Sequence, residues 1–365
     1  MTKDYKILIA VGGTGGHVFP GINLAEHLKI SDFQVEITTD KRGYKYLERY
    51  KTFKISILPS SPLISKSFYF LIRSSFLIFY SILRSLVFLI LNRPRIIIGM
   101  GGYASFPICL AAYILRIKFI IYENNLIIGK ANNYLLPFSN KIMVSSKQLE
   151  GIPKKYDFKI YEIGNIINKE IINFSENITK INNEKRLSIL VLGGSQAAKI
   201  FAETLPKIFK ECSKKIINLK IFQQCMPNQN EFLREFYEKA KIEFEIFNFS
   251  VNLTEYFSKT NLAITRSGSS MLAELTNANI PFISVPLPSS ADNHQLKNAT
   301  YYQKNNLSFL IEEKDLNTKL YNLINDICQN RSLLNKIKMN QRQYSDKNVY
   351  KNINQVLREI IDEKN

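Results

Sequence analysis

The sequence predicts two consecutive α/β domains of the Rossmann-like type, each built on a parallel sheet. Three runs carry that prediction: KILIAVGGTGGH from Lys6, RIIIGMGGYAS from Arg95 and LSILVLGGSQAA from Leu187. Each sets a short β-branched apolar stretch before glycines and a helix-like segment. Strands alternating with helical segments mark βαβ units, whose crossover helices bring successive strands back parallel. A chain of 365 residues is long enough for two separate cores.

In chain order, the strand from Lys6 is followed by VEITT from Val35, the run from Arg95, FIIYEN from Phe119 and KIMVSS from Lys141. This first series closes near Gly164, and a polar Asn/Glu/Lys stretch at residues 173 to 186 precedes the second. The second series runs through LSILVL, LKIFQQ, FEIFNF, LAITRSG, PFISVPL and LSFLIEE. Residues 329 to 365 are polar, helical in pattern and strandless. The expected organisation is a first domain over 1–163, a second over 164–340, and a terminal helix within 341–365 that packs back on the first domain.

Residues 68 to 91, FYFLIRSSFLIFYSILRSLVFLIL, are long enough to cross a bilayer but contain Arg73 and Arg84. These lie close to three turns apart at about 3.6 residues per turn, on one helical face together with Lys66, Ser74, Ser81 and Ser85. An arginine at the centre of a span costs about 2.5 to 3.5 kcal/mol on insertion scales, which argues against spanning. Two readings stand: a core helix packed on a sheet, which takes most of the apolar residues, or an apolar patch with basic flanks resting on an anionic bilayer.

Lys+Arg 49 against Asp+Glu 31 gives a net charge of +18, which suits a negatively charged partner: nucleic acid, a phosphorylated substrate or an anionic membrane. The abundance of Ile, Lys and Asn offers a purely compositional origin for part of the excess. Cys109, Cys212, Cys225 and Cys328 form no C-x-x-C pair and no zinc-type cluster, as expected of a reducing compartment. The N-terminus runs directly into a strand and a glycine loop without the features of an export signal.

A glycine loop between a strand and a helix gathers backbone N–H groups and the positive end of the helix dipole at one point, which suits phosphate. Three such loops in one chain suggest two phosphorylated species. A dinucleotide oxidoreductase is the rival reading, and Asp40 stands where a ribose-binding acid would. The fingerprint is incomplete, because Gly13 and Gly15 are followed by Val18 in place of the third glycine. His17 directly follows the first loop, where a neutral imidazole with its pKa lowered by the helix end would act as a general base toward a hydroxyl. His27 reads as structural and His294 as either. In TRSGSSMLAEL from Thr265, hydroxyl and backbone donors at a helix start suit a diphosphate, and Glu274 suits the paired hydroxyls of a ribose; a simple capping motif gives a similar string. No D-x-D, H-E-x-x-H or carboxylate cluster suggests a metal.

Taken as a set, GGTGGHVFPG at 12 to 21, GMGGYAS at 99 to 105, ENN at 123 to 125, GGSQ at 193 to 196, RSGSSMLAE at 266 to 274 and ADNHQLKNA at 291 to 299 resemble, in order and spacing, the motifs of the MurG family. These are bacterial N-acetylglucosaminyltransferases of peptidoglycan synthesis, with the two-domain GT-B fold. The resemblance covers nearly the whole chain. It implies transfer of N-acetylglucosamine, with inversion, from UDP-N-acetylglucosamine to the muramyl 4-hydroxyl of undecaprenyl-diphosphate-linked N-acetylmuramoyl-pentapeptide (lipid I), giving lipid II. The site would lie in a cleft between the two sheets, at the cytoplasmic face of the inner membrane.

Carried onto this sequence, the resemblance puts Thr14, Gly15 and Gly16 by the donor sugar, with His17 as the base. Asn125, Ser195 and Gln295 would contact the donor, and Ser269, Ser270, Met271, Leu272, Ala273 and Glu274 its diphosphate and ribose. The backbone near Ser250 would hold the uracil, while Gly101, Gly102 and Tyr103 face the acceptor. The implied partners are UDP-N-acetylglucosamine, lipid I and an anionic membrane surface met by Lys66, Arg73, Arg84, Arg93 and Arg95; nucleic acid, cofactor and metal are not implied. The chain departs from the family at Tyr122, where a histidine is common, and at Asn168, where an arginine would touch the donor and Lys169 is the nearest substitute. Ala198 replaces a usual glycine, and Phe106 a usual small residue.

Overall fold

The computed structural model describes residues 5–61, 68–174, 186–194, 199–215, 218–248 and 253–362. The chain divides into two units, residues 1–167 with 347–365, and residues 168–346.

Unit 1 carries β1 (Lys6–Ala10), α1 (Gly15–Ile30), β2 (Gln34–Thr39), α2 (Lys41–Leu47), β3 (Lys54–Ile57), α3 (Phe68–Asn92), β4 (Ile96–Gly99), α4 (Ser105–Ile114), β5 (Lys118–Glu123), α5 (Lys130–Leu135), β6 (Lys141–Val144) and β7 (Ile160–Glu162). Its strands form one sheet in the order β3-β2-β1-β4-β5-β6-β7, parallel throughout. The central strands are buried along their length, β1 as Ile7, Leu8 and Ile9 and β4 as Ile96, Ile97 and Ile98. That is why they read as continuous apolar runs with no alternation.

Unit 2 carries α6 (Lys169–Phe174), β8 (Arg186–Leu192), α7 (Lys199–Lys214), β9 (Asn218–Gln224), α8 (Asn230–Lys239), β10 (Glu243–Phe247), α9 (Thr254–Phe257), β11 (Leu262–Arg266), α10 (Ser269–Asn277), β12 (Phe282–Val285), α11 (His294–Lys304), β13 (Phe309–Leu310), α12 (Leu316–Gln329) and α13 (Ser332–Gln343). The sheet order is β10-β9-β8-β11-β12-β13, again parallel. The chain then returns to unit 1 as α14 (Val349–Asp362).

Particular hydrogen bonds set where the units end. The Tyr122 hydroxyl, buried on β5, donates to the Gly164 carbonyl at 3.3 Å and accepts from the Ile166 amide at 3.1 Å, so residues 164 to 167 stay with unit 1. Tyr122 is thus a core anchor and not a substitute for a second histidine. At the other end Asp346 exchanges two bonds with Asn277, at 2.7 and 2.9 Å, and Gln341 donates to the Ile280 and Leu307 carbonyls, which keeps this stretch in unit 2. On unit 1, α14 seats Tyr350 against His27 with ring centroids 4.5 Å apart. Asn354 meets His27 Nε2 at 2.9 Å and Glu359 pairs with Lys141 at 2.6 Å. His27 is accordingly structural.

Helix α3 corrects the sequence expectation. Its buried face is lined by Ser81 and Ser85 with Ile78 and Leu89, while Phe76, Leu77, Phe79, Tyr80, Leu83, Val87, Ile90 and Leu91 are exposed. Core packing therefore does not take most of the apolar residues. The serine hydroxyls need no outside partner, since Ser81 donates to the Leu77 carbonyl at 2.7 Å and Ser85 to the Ser81 carbonyl at 2.8 Å. Both serines are thus buried with their hydroxyls satisfied, and α3 packs on α4. Arg73 and Arg84 are exposed on the apolar side, and by length and composition Arg73–Asn92 could cross a membrane. Lys66 lies outside the described residues.

Candidate active site

In each unit the strand order reverses at one place, between β1 and β4 in unit 1 and between β8 and β11 in unit 2. Open α/β sheets bind ligands beyond the carboxyl ends of the strands at such a switch point, because the connecting loops diverge there and leave a crevice. The glycine motifs found in the sequence sit on these ends.

In unit 1 the loops after β1 and β4 touch: a Cβ on Gly12 would stand 2.1 Å from the Ala104 Cβ. Gly101 and Gly102 have φ of +88° and +75°, conformations that disfavour a side chain. They press on the His17 imidazole, with a Cβ on Gly101 falling 3.0 Å from its Cε1. The ring is fixed by its Nδ1, 2.9 Å from the Met100 carbonyl. A carbonyl only accepts, so Nδ1 carries the proton and Nε2 holds the lone pair in the neutral ring. Thr14, which makes no side-chain cap, and Gly16 are exposed at the start of α1, and Gly15 is buried. Tyr103 is half-buried in the second loop.

The carboxylate of Asp40 does not serve a ribose. Its Oδ1 accepts from the Gly43 amide at 2.8 Å and the Gly13 amide at 3.2 Å, and its Oδ2 from Arg42 and Ser60. These bonds and the Arg42 charge hold the buried carboxyl below its ordinary value against the opposing cost of desolvation, which is the largest single effect. Asp40 caps α2 and braces the first glycine loop, which removes the feature that favoured a dinucleotide enzyme.

At the end of β5, Glu123 is buried and fully engaged. Its Oε1 accepts from the Asn125 amide at 3.1 Å and Nδ2 at 3.0 Å, and its Oε2 from the Gly129 amide and Asn132 Nδ2, each at 2.9 Å. The Asn125 side chain is thereby held in one orientation. The neighbouring Asn124 donates from Nδ2 to the Gly16 carbonyl at 3.0 Å.

In unit 2, α10 begins at Ser269 after the non-helical cap Gly268. Ser269, Ser270 and Met271 place their amides in the first turn, where no carbonyl one turn back exists within the helix. Leu272 and Ala273 point into the core, and the Leu272 amide already bonds the Gly268 carbonyl at 3.1 Å, so these two offer the site no side chain. Glu274 is half-buried, and burial alone pushes its carboxyl up from 4.5 to about 7. Gln295 uses its Oε1 to accept from the Ser267 amide at 3.2 Å and the Leu287 amide at 2.9 Å, tying together the loops after β11 and β12. Asp292 and Asn293 before it hold φ of 50° and 54°, strained values for non-glycine residues that persist only where the surroundings enforce them. His294 turns back on its own loop, Nδ1 to the Ala291 carbonyl at 2.7 Å. Ser195 and Ser250 lie outside the described residues.

Sequence reasoning missed Arg266, the last residue of β11. Its guanidinium donates to the Val285 and Pro286 carbonyls, each at 3.3 Å, pairs with Glu313, and lies over the Phe201 ring at 4.9 Å. It braces the strand ends beneath the α10 loop; the available signal was an arginine closing an otherwise apolar strand. Asn168 accepts from the Glu170 amide at 2.8 Å and so caps α6, which gives asparagine a structural reason at that position.

Residues 7–144 match the glycosyltransferase family 28 N-terminal domain, and residues 188–356 the family 28 C-terminal domain. A Pelagibacter ubique protein named UDP-N-acetylglucosamine--N-acetylmuramyl-(pentapeptide) pyrophosphoryl-undecaprenol N-acetylglucosamine transferase is 35% identical over 98% of this chain and 99% of its own length. The chain belongs to the MurG family. A Rickettsia canadensis protein of the same name is 33% identical over 90% of this chain and 92% of its own. The crystal structure of Acinetobacter baumannii MurG superposes with a TM-score of 0.77 at 22% identity, covering 97% of this chain and 99% of that one. The fold is therefore GT-B.

Proposed function

We propose that this member of the MurG family moves N-acetylglucosamine from UDP-N-acetylglucosamine to the muramyl 4-hydroxyl of lipid I, yielding lipid II for peptidoglycan. The substrate assignment is supported by the full-length relatives of that one named activity. His17 carries the mechanism: its Nδ1 is bound to the Met100 carbonyl, so the ring presents a basic Nε2 at the switch point. His17 Nε2 takes the proton of the acceptor hydroxyl as that oxygen forms a bond to the anomeric carbon, and the bond from that carbon to the UDP oxygen breaks on the opposite face. The configuration inverts. The start of α10 stabilises the charge left on UDP, with the helix dipole and first-turn amides aimed at phosphate. Glu274 receives the ribose hydroxyls, whose donated bonds relieve its desolvation. The loop of Gly101, Gly102 and Tyr103 faces the acceptor.

The exposed apolar side of α3, with Arg73 and Arg84 upon it, rests on an anionic bilayer at its cytoplasmic face, where a lipid-linked acceptor is held. The test is incubation of the full chain with UDP-N-acetylglucosamine and a lipid I analogue, following both UDP and the glycosylated lipid. Equimolar appearance of the two is expected, with no change in NAD(P)H absorbance. UDP release that depends on a different acceptor would indicate another UDP-sugar transferase.

A further inference from the structure

Pro20 lies inside α1, four residues after Gly16. Proline has no N–H, so the helix cannot supply the bond that would normally reach the Gly16 carbonyl. Asn124 supplies one from outside: its Nδ2 meets the Gly16 oxygen at 3.0 Å. The amide is oriented for this by Asn125 Nδ2, which donates to its Oδ1 at 3.1 Å, and its backbone is tied by Ser145 Oγ at 3.1 Å. Asn124 is itself buried. We propose that Asn124 is a positioning residue for His17, clamping the first turn of α1 to the end of β5 through the carbonyl that Pro20 leaves without its helical donor.

The inference rests on the reading of His17 as the base. Gly16 directly precedes His17, and the imidazole is pinned at its far side by Met100 and Gly101. Two supports from different strands, β4 at the ring and β5 at the helix start, then fix where Nε2 stands. A misplacement of about 1 Å in a reacting group costs on the order of 100-fold in rate. The residue pattern has a direct consequence: an alanine at position 20 would restore an N–H and make the outside clamp partly redundant.

The test compares the full chain with Asn124→Ala and with the double variant Asn124→Ala/Pro20→Ala, measuring kcat and the KM for UDP-N-acetylglucosamine with a lipid I analogue. The single change is expected to lower kcat by about 10- to 100-fold with the donor KM within about twofold. The double variant is expected to recover most of that loss. A single variant with unaltered kcat, a loss carried by the donor KM, or a double variant no better than the single would each overturn the assignment. Should Asn124→Ala fail to fold, Asn124→Asp keeps the shape, removes the donor and takes its place in the comparison. The imidazole resonances of His17 in ¹⁵N-histidine-labelled protein give a readout without turnover: they should shift in the single variant and return in the double. If the wild type itself transfers no sugar, the functional reading fails while the resonances still decide the clamp.

Discussion

Replacing Glu274 by glutamine should stabilise the unliganded protein and weaken donor binding at once. Burial raises this carboxyl from 4.5 to about 7. The folded state thus holds the proton more tightly than the unfolded chain does. Below pH 4.5 the group is neutral in both states and costs nothing; stability falls as pH rises from there to about 7 and is then level. At about 1.4 kcal/mol per pKa unit the penalty reaches at most about 3.5 kcal/mol at pH 8. Glu274→Gln removes it, so the melting temperature of the transition containing unit 2 should rise at pH 8, by up to about 7 to 14 °C for a domain of this size. It should be unchanged near pH 4. UDP-N-acetylglucosamine should bind about 10- to 100-fold more weakly, the worth of hydrogen bonds to a charged acceptor. Thermal unfolding of the full chain at both pH values, with and without UDP, alongside the donor KM, reads all of this. A variant less stable than wild type at pH 8 would refute the reasoning, since the carboxylate would then be bonded into the fold instead of kept for a ligand. In the wild type the donor KM should also rise as pH falls below about 7, as protonation removes the acceptor.

His17→Ala should lower kcat by about 10²- to 10⁴-fold with little change in KM, and a folded variant of normal kcat would dismiss the base. Asn168→Arg should lower the KM for UDP-N-acetylglucosamine while losing a helix cap worth about 1 kcal/mol in unit 2; an unchanged KM, with the cap loss visible by urea titration, would show that the arginine position is not a donor contact here. Leu83→Asp/Ile90→Asp, on the exposed side of α3, should abolish cosedimentation with phosphatidylglycerol vesicles and leave the melting temperature within about 2 °C, because neither side chain is in the core. Binding unaltered by these changes and by salt would dismiss membrane docking through this face.

The glycine loops were legible in the sequence because a tight turn at a strand end leaves a local signature, and the parallel sheets followed from the strand–helix alternation. The place of His17 beside that loop was legible for the same reason, as one of 3 histidines and adjacent in sequence to the glycines. The direction α3 faces was not. Periodicity assumes that the apolar side goes inward, and here Ser81 and Ser85 turn inward with their hydroxyls spent on their own helix. By position Asp40 suits the ribose acid of the rival dinucleotide reading, but whether a carboxylate faces a ligand or two neighbouring amides depends on Gly13 and Gly43, which only the folded chain brings together. The Asn124 clamp left a trace in the proline four residues after Gly16, yet nothing local names which donor answers that carbonyl.

The return of α14 to unit 1 has a bearing on synthesis. Residues 347–365 leave the ribosome after the whole of unit 2, about 10 to 35 s later than residue 167 at ordinary elongation rates. During that interval His27, Lys118 and Lys141 lack the partners that Asn354, Ile360 and Glu359 provide. The nascent first unit is thus unfinished on the α1 side while the apolar face of α3 is already made. Its final consolidation is postponed to the end of translation, so a shortened C-terminus should be felt first by the unit at the other end of the chain.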